Sequence, residues 1–295
     1  MRMLMPRAPS DRHVPASCAR IITERRLGTR HGRGGTLAVL DADTPTTYFP
    51  HGRFRRRIRL VARDPGTVDG GLEDDQHYFT VHVEHDGAHV NAITSESVRA
   101  PWTTCPAAGA QLQALVGTPL ADRCLVVAGH TQSDQHCTHQ LDVATLAIAH
   151  AARVAAGGAS RRQYDIEVPF GLLDGQRHSV TLSRDGEPLL AWELEGARVV
   201  APAPWSDATG GFARWADATF DPDTAEAAIV LKRACSIGMS RGMDLDSYPT
   251  LADMPGLSPV CWSMQPERAP VALRNRGLIR DYDEHPEAML AEGPA

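Results

Sequence analysis

Lysine is almost missing from this chain. Of its 30 basic residues only Lys232 is a lysine, so an enzyme that forms a Schiff base would have to use that one side chain. The G-x-G-x-x-G fingerprint of dinucleotide-binding folds is also missing from the sequence. We therefore expect neither a pyridoxal nor a nicotinamide cofactor.

Signals for secretion, membrane insertion and nucleic-acid binding are missing as well. Residues 1–12 lack the apolar core of a secretory signal. The best apolar run, residues 143–156, is interrupted by His150 and Arg153 and is too short to cross a membrane. The net charge is −6, and the six cysteines form no C-x-x-C pair. These features predict a cytoplasmic protein with reduced thiols that binds neither membranes nor nucleic acid.

Side chains alternate between apolar and basic along residues 54–63, as they do in a half-buried strand. Phe54, Ile58 and Leu60 share one face, and three arginines share the other. These arginines are Arg55, Arg57 and Arg59. They could hold an anionic group of a substrate, but a solvated strand face is the favoured interpretation.

Turn and helix signals complete the predicted architecture. Asp86-Gly87 and Asp185-Gly186 are typical of hairpin turns. Residues 105–117 favour a short helix, and longer helices are predicted from about His139 to Ala156 and from Asp221 onward. The predicted fold class is α+β, an antiparallel sheet with helices packed on one face.

The chain divides into three predicted segments. Residues 1–44 form a disordered or loosely attached arginine-rich tail, residues 45–158 a first α+β half, and residues 159–295 a second α+β half packed on the first. Each half contains a DG turn, an apolar strand, V-x-A-P and a tryptophan. A duplicated strand-strand-helix-helix unit would explain this likeness, and a coincidence of turn motifs is the alternative.

A thiol and an imidazole stand together where the helix near residue 139 is predicted to start. With Thr138 as the N-cap, Cys137 lies just outside the helix and His139 on its first turn. The partial positive charge of a helix N-terminus favours a thiolate and disfavours an imidazolium. Asp142, one turn further on, is predicted to hold the ring of His139 in one tautomer.

Residues remote in the sequence could complete a site with this pair. Cys105 precedes the short helix, and Asp74 and His77 precede a predicted strand. Zinc binds cysteine, histidine and carboxylate ligands, so Cys105, Cys137, His139 and His77 form a candidate set for zinc or another divalent metal. The alternative is buried thiols beside unrelated histidines, since thirteen histidines make chance neighbours common.

Two other features are given structural interpretations. His150 lies on the same helix face as His139 but deeper, and we expect a hydrogen-bonded core residue. Residues 238–242 fit G-x-S-x-G, but a nucleophile elbow needs a preceding strand, and here a helix is predicted before Ser240.

Several segments resemble the bacterial domain-of-unknown-function 2889 family, in its actinobacterial-type members. The segments lie between about residues 70 and 290 and include GGLEDDQHYFTVHVEHDG, PWTTCP, LQALVG, HCTHQLD, AIAHAAR, RRQYDIEVP, DPDTAEAAIVLKRA and CWSMQPERA. The family pattern has Gly-Cys-Thr-His-Leu where this chain has residues 136–140, so Cys137 and His139 match and the flanking residues differ. Cys105, His77 and Asp74 also fall on positions where the pattern has Cys, His and Asp.

This resemblance implies a small-molecule enzyme without naming its reaction, because family members accompany catabolism of aromatic or acyl compounds. We expect a lyase or isomerase in which His139, His77, Asp74, Cys137 and Asp142 form the catalytic set. A homo-oligomer is left open. The alternatives are an iron–sulfur or other metal-binding scaffold protein and a non-enzymatic domain with structural zinc.

Overall fold

The computed structural model describes residues 48–172, 174–206, 208, 211–291 and 293. The tail predicted for residues 1–44 lies outside this range. Within it, one antiparallel sheet of eight strands has the order β4-β3-β2-β1-β5-β6-β7-β8. The strands are β1 Arg53–Ala62, β2 Thr67–Asp74, β3 Tyr78–His85, β4 Val90–Arg99, β5 Arg161–Pro169, β6 Arg177–Arg184, β7 Glu187–Glu195 and β8 Arg198–Ala201.

Two long helices cover one face of this sheet, which confirms the predicted α+β class. The α-helices are α1 Cys124–Ala128, α2 Thr138–Ala155, α3 Phe212–Thr219 and α4 Pro222–Gly238. Leu60 lies against α2 and Phe54 against α4, and both belong to the same face of β1. The core therefore runs without interruption beneath both helices. Within the described part of the chain, no helix combines the length and the apolar character that a membrane span needs.

Two strand predictions are wrong in detail. Strand β2, with the sequence TVDGGLED, is missed from the sequence because glycine and aspartate are poor strand formers. The apolar sequence of residues 187–202 predicts one long return strand, whereas the structure divides it into β7 and β8, with a turn at Gly196, where φ is +59°. The alternation predicted for residues 54–63 is confirmed by the burial pattern of β1, and β3 alternates in the same way.

The two halves of the sheet meet where β1 pairs with β5. Each half is a four-stranded meander followed by helices, so the unit has four strands and not the two predicted. The DG turns of the two halves also occupy different places, since one joins β3 to β4 and the other joins β6 to β7. When the two four-stranded halves are matched strand by strand, the two DG turns therefore do not fall at equivalent positions.

Arginines on the open face of β1 join the halves and are not a solvated surface. Arg57 Nε lies 2.6 Å from Asp165 Oδ1 and Arg59 Nε lies 2.9 Å from Gln163 Oε1, both acceptors being on β5. Arg55 contacts Glu167 of the same strand. These arginines are partly buried, because the C-terminal residues lie over them: Arg57 Nη1 donates to the carbonyl oxygen of Met289 at 3.1 Å.

The short helix predicted for residues 105–117 is a 3-10 helix, Cys105–Leu115. It lies along the edge strand β4, where Gln113 Nε2 donates to the carbonyl oxygen of Ile93 at 2.7 Å. The residues after α4 return to the first half of the chain. Arg274 Nη1, for example, donates to the carbonyl oxygen of Pro101 at 3.0 Å.

Gly70 allows α2 to lie directly on β2. A Cβ atom at this position would come within 2.6 Å of Val143 Cγ1 on α2. We expect Gly70→Ala to lower the free energy of unfolding by about 1–3 kcal/mol, because the added methyl group overfills a closed contact. Urea denaturation followed by circular dichroism measures the change.

Gly211→Ala is the matched control, because a Cβ atom there meets nothing within 4 Å. Gly211 caps α3, so its replacement should cost at most about 1 kcal/mol. Equal losses in the two variants would show that the approach of α2 to β2 is not what requires glycine.

Candidate functional site

The turn between β2 and β3 is buried along its whole length. The last two residues of β2, Glu73 and Asp74, and the connecting residues Asp75, Gln76 and His77 are each less than 9% exposed. The backbone N–H of Asp74 donates to the carbonyl oxygen of His77 at 2.9 Å and closes the turn. An acidic turn is buried only where its charges find partners, and those partners define the site.

Asp74 has donors at both carboxylate oxygens. Oδ1 accepts from the backbone N–H groups of Gln76 and His77, each at 2.8 Å, and lies 2.9 Å from His77 Nδ1. Oδ2 accepts from Arg56 Nε at 3.0 Å and Nη2 at 2.6 Å. Burial alone would raise the pKa of Asp74, but interactions with His77 and Arg56 outweigh it and hold the pKa well below the usual range.

His77 and His139 form a stacked pair beside this carboxylate. Their ring centroids are 3.8 Å apart and the ring planes differ by 23°. Burial lowers the pKa of His139 well below its ordinary value, and His77 and Arg56 lower it further. Burial also lowers the pKa of His77, against the opposing charge of Asp74. The lowered pKa values favour the neutral form of both imidazoles, and for His139 the cause is burial and neighbouring charges and not the helix start from which neutrality is predicted.

Asp74, His77 and His139 are the one group of three His, Cys, Asp or Glu residues, among those described, whose ligand atoms lie within 4.8 Å of one another. His139 Nε2 is buried and has no hydrogen-bond partner in the described chain. The donor types suit a zinc-like cation. However, nearly parallel ring planes direct the nitrogen lone pairs side by side, so binding one ion through both rings requires one ring to turn.

Asp142 does not hold the ring of His139 as predicted. Its Oδ1 lies 2.5 Å from Nη1 of Arg233 on α4, so the carboxylate joins two helices. The hydrogen bond found for the His139 ring is a long one, 3.4 Å from Nδ1 to Thr138 Oγ1.

The prediction of a thiolate at Cys137 is wrong. Cys137, and not Thr138, is the N-cap of α2, and burial raises its pKa well above the usual value, with Cys105 and Cys261 adding to the effect. A helix N-terminus contributes only partial charge, whereas removing a thiolate from water is costly, so burial dominates.

The predicted metal set is divided between two places. His77 and His139 join Asp74, whereas Cys105 and Cys137 belong to an adjacent apolar cluster with Phe79. Phe79 stacks at 5.9 Å on both imidazoles and connects the two groups. Burial raises the pKa of Cys105 to about 12, and its sulfur accepts from Ser263 Oγ at 3.8 Å. The assignment of either thiol to a metal stays a prediction.

The structure agrees with both structural interpretations. His150 is 1% exposed, and its Nε2 lies 3.0 Å from the carbonyl oxygen of Ser160. Ser240 follows α4 directly in a 3-10 helix, where its hydroxyl donates to Ile237 and accepts from Gln76. A helix thus precedes Ser240, and the strand that a nucleophile elbow needs does not.

Arg56 contacts Asp74 in the candidate site, and the sequence reasoning misses it. It is 1% exposed and lies on the helix-covered face of β1, the same face as Phe54. The signal is present in the sequence, since an arginine on the apolar face of an alternating strand must be paired with a buried acid.

The described cavities lie away from the stacked imidazoles. One of about 420 Å³ opens on the sheet face opposite the helices and is lined in part by Asp69 and His82. A much smaller one borders Asp75 and Ser240. His77 and His139 are 6% and 7% exposed, and Phe79, which stacks on both rings, packs in the apolar cluster that includes Leu251 and Ala272 of the C-terminal segment.

Comparison with known proteins gives no match, since neither a family model nor a curated protein aligns with this chain. The resemblance to the domain-of-unknown-function 2889 family therefore stays a prediction.

Proposed function

We propose that this protein is a small-molecule catabolic enzyme of the lyase or isomerase type, acting on an aromatic or acyl substrate through His139, His77 and Asp74. The observation that carries the proposal is a buried imidazole, that of His139, whose Nε2 has no partner among the described residues and which stacks at 3.8 Å on a second imidazole that is bonded to a carboxylate. Buried titratable groups of this kind are typical of sites that move protons.

The arrangement supports a division of roles. His139 Nε2 has no partner among the described residues and, in the tautomer that leaves its lone pair free, would accept a proton from carbon next to a carbonyl group. The imidazolium formed at His139 would then return this proton to the product or to the leaving group. His77 is neutral and its Nδ1–H is bonded to Asp74, so it would stay oriented beside His139 while the ionised carboxylate favours the charged form of that ring. Protonation of one stacked ring raises the cost of protonating the other, so the pair takes up one extra proton at a time, which suits a lyase or isomerase step.

Deuterium wash-in tests this proposal before the substrate is identified. The full chain is incubated in D₂O with aromatic acids, hydroxy acids and acyl thioesters, and mass spectrometry measures deuterium at carbon. We expect the parent to exchange at least one compound, and His139→Asn and His77→Asn to lower that rate by about 10²- to 10⁴-fold.

His150→Asn is the matched control, because it replaces another buried histidine of α2, one whose described hydrogen bond is to a backbone carbonyl. It should keep the parental rate. Exchange that persists in the His139 and His77 variants, or a folded parent that exchanges no compound, would contradict the proposal.

A structural metal site is the second candidate, favoured by the 4.8 Å grouping of Asp74, His77 and His139. Elemental analysis of protein purified without a histidine tag separates the two. One zinc per chain, lost together with stability in His139→Asn, would favour a structural site. Iron would favour the scaffold alternative, and a metal-free active protein would favour acid–base chemistry.

A further inference from the structure

The side chain of Arg56 has one dominant contact. Nε and Nη2 both donate to Oδ2 of Asp74, at 3.0 and 2.6 Å, from a guanidinium group that lies 5.5 Å from the centre of the Phe54 ring. The two donors hold Oδ2, and the backbone N–H groups of Gln76 and His77 hold Oδ1, so donors on both oxygens together fix the plane of the carboxylate. Asp74 therefore cannot turn without breaking a buried charge-assisted contact.

The orientation of Asp74 in turn determines which nitrogen of His77 carries hydrogen. An ionised carboxylate only accepts hydrogen bonds, so Nδ1 of His77, 2.9 Å from Oδ1, must be the donor. In a neutral ring the hydrogen at Nδ1 leaves Nε2 with the free lone pair. Two backbone N–H groups hold the same Oδ1 oxygen and oppose any exchange of the carboxylate oxygens.

We propose that Arg56 is a positioning residue that fixes the Asp74 carboxylate and thereby holds His77 in the Nδ1–H tautomer, with Nε2 as its basic nitrogen. The catalytic meaning of this role rests on the proposed function, but the tautomer itself does not. The described hydrogen bonds of Arg56 go to Asp74 and not to the stacked imidazole pair, so it acts through Asp74.

An arginine–aspartate–histidine chain of contacts also occurs on the solvent-exposed face of the β2–β3 hairpin. Arg63 Nε donates to Asp69 Oδ2 at 2.9 Å, and His82 Nδ1 lies 2.6 Å from Asp69 Oδ1. The side chains of Arg63 and His82 are each 43% exposed, compared with 1% for Arg56. Arg63 therefore provides a control, because it makes the same kind of contact with an aspartate at a place where water screens the charges.

Nitrogen-15 NMR of uniformly labelled full-length protein at pH 7.5 reads the tautomer directly. The parent should show His77 protonated at Nδ1. Arg56→Met should move His77 toward the Nε2–H form or a mixture and lower deuterium wash-in by roughly 10- to 100-fold. Arg56→Lys, which keeps the charge but loses the planar fork, should change both readouts less, and Arg63→Met should change neither.

Two results would overturn the proposal: a parent in which His77 is protonated at Nε2, or a folded Arg56→Met protein that keeps the Nδ1–H tautomer. If Arg56→Met does not fold, the tautomer of His77 in the parent and in Arg56→Lys still tests the proposal. An Arg56→Lys protein with the parental tautomer and exchange rate would show that the planar guanidinium group is not what positions Asp74. A changed tautomer beside a parent that exchanges no compound would leave the positioning role standing and reject the proposed enzyme.

Discussion

Asp74→Ala is expected to lower the free energy of unfolding by about 3–5 kcal/mol, because it removes one partner of a fully buried ion pair. Arg56 would keep its charge at 1% exposure with its acceptor gone, and the N–H groups of Gln76 and His77 would lose theirs. Urea unfolding at pH 7, followed by circular dichroism, measures the loss. Asp74→Asn should cost less, since its amide oxygen can still accept from the turn.

Asp69→Ala is the control for this experiment. It removes the same kind of carboxylate, bonded to Arg63 and His82, but at a side chain that is 25% exposed, where water replaces the lost contacts. We expect a change within about 1 kcal/mol. A loss at Asp69 equal to the loss at Asp74 would show that burial of the Arg56 pair is not the source of the cost.

Glu226→Ala is expected to be comparably destabilising, by about 3–5 kcal/mol, because Glu226 joins three elements of the core. Its carboxylate, on α4 and 3% exposed, accepts from Tyr164 Oη of β5 at 2.9 Å and pairs with Arg153 of α2. Arg162 lies 3.6 Å from the same group. Removal would leave a phenol and two guanidinium groups without their shared acceptor. The same urea titration measures the effect.

Glu195→Ala provides the comparison, since Glu195 also pairs with two arginines, Arg177 and Arg198, but at the surface. Its replacement should leave the unfolding midpoint unchanged, because solvent and side-chain entropy cancel most of an exposed pair. Glu226→Gln should fall between the two. A Glu226→Ala protein as stable as the parent would contradict the bridging role assigned to this carboxylate.

The elements predicted correctly from the sequence are those whose local signals agree with their surroundings. The alternation in β1 and β3 is legible because one face is buried, and α4 begins after Asp221, whose side chain accepts from the backbone N–H groups of Asp223 and Thr224. Strand β2 is not predicted from the sequence because it contains Gly70, a poor strand former that is needed there for the close approach of α2.

The structure brings together only part of the residue set that the sequence predicts, since Cys105 and Cys137 lie in the adjacent apolar cluster. The sequence identifies Asp74, His77 and His139, whereas it does not reveal the role of Arg56, and the role predicted for Asp142 is excluded by its contact with Arg233. The pKa of Cys137 is predicted to be lowered but is raised, because the sequence indicates a helix start and does not indicate how deeply that start is buried. Depth depends on residues far along the chain.

Those distant residues impose an order on biosynthesis. Asp75 pairs with Arg241, which is 166 positions later, and Glu73 accepts from the N–H of Leu290, which is 217 positions later. While the ribosome is still translating, the first meander therefore emerges with Asp75 lacking its arginine, whereas Asp74 and Glu73 already have Arg56 and Arg99 within reach. The bend can orient His77 through Asp74 early, but the charge of Asp75 is paired only after residue 241 has been made.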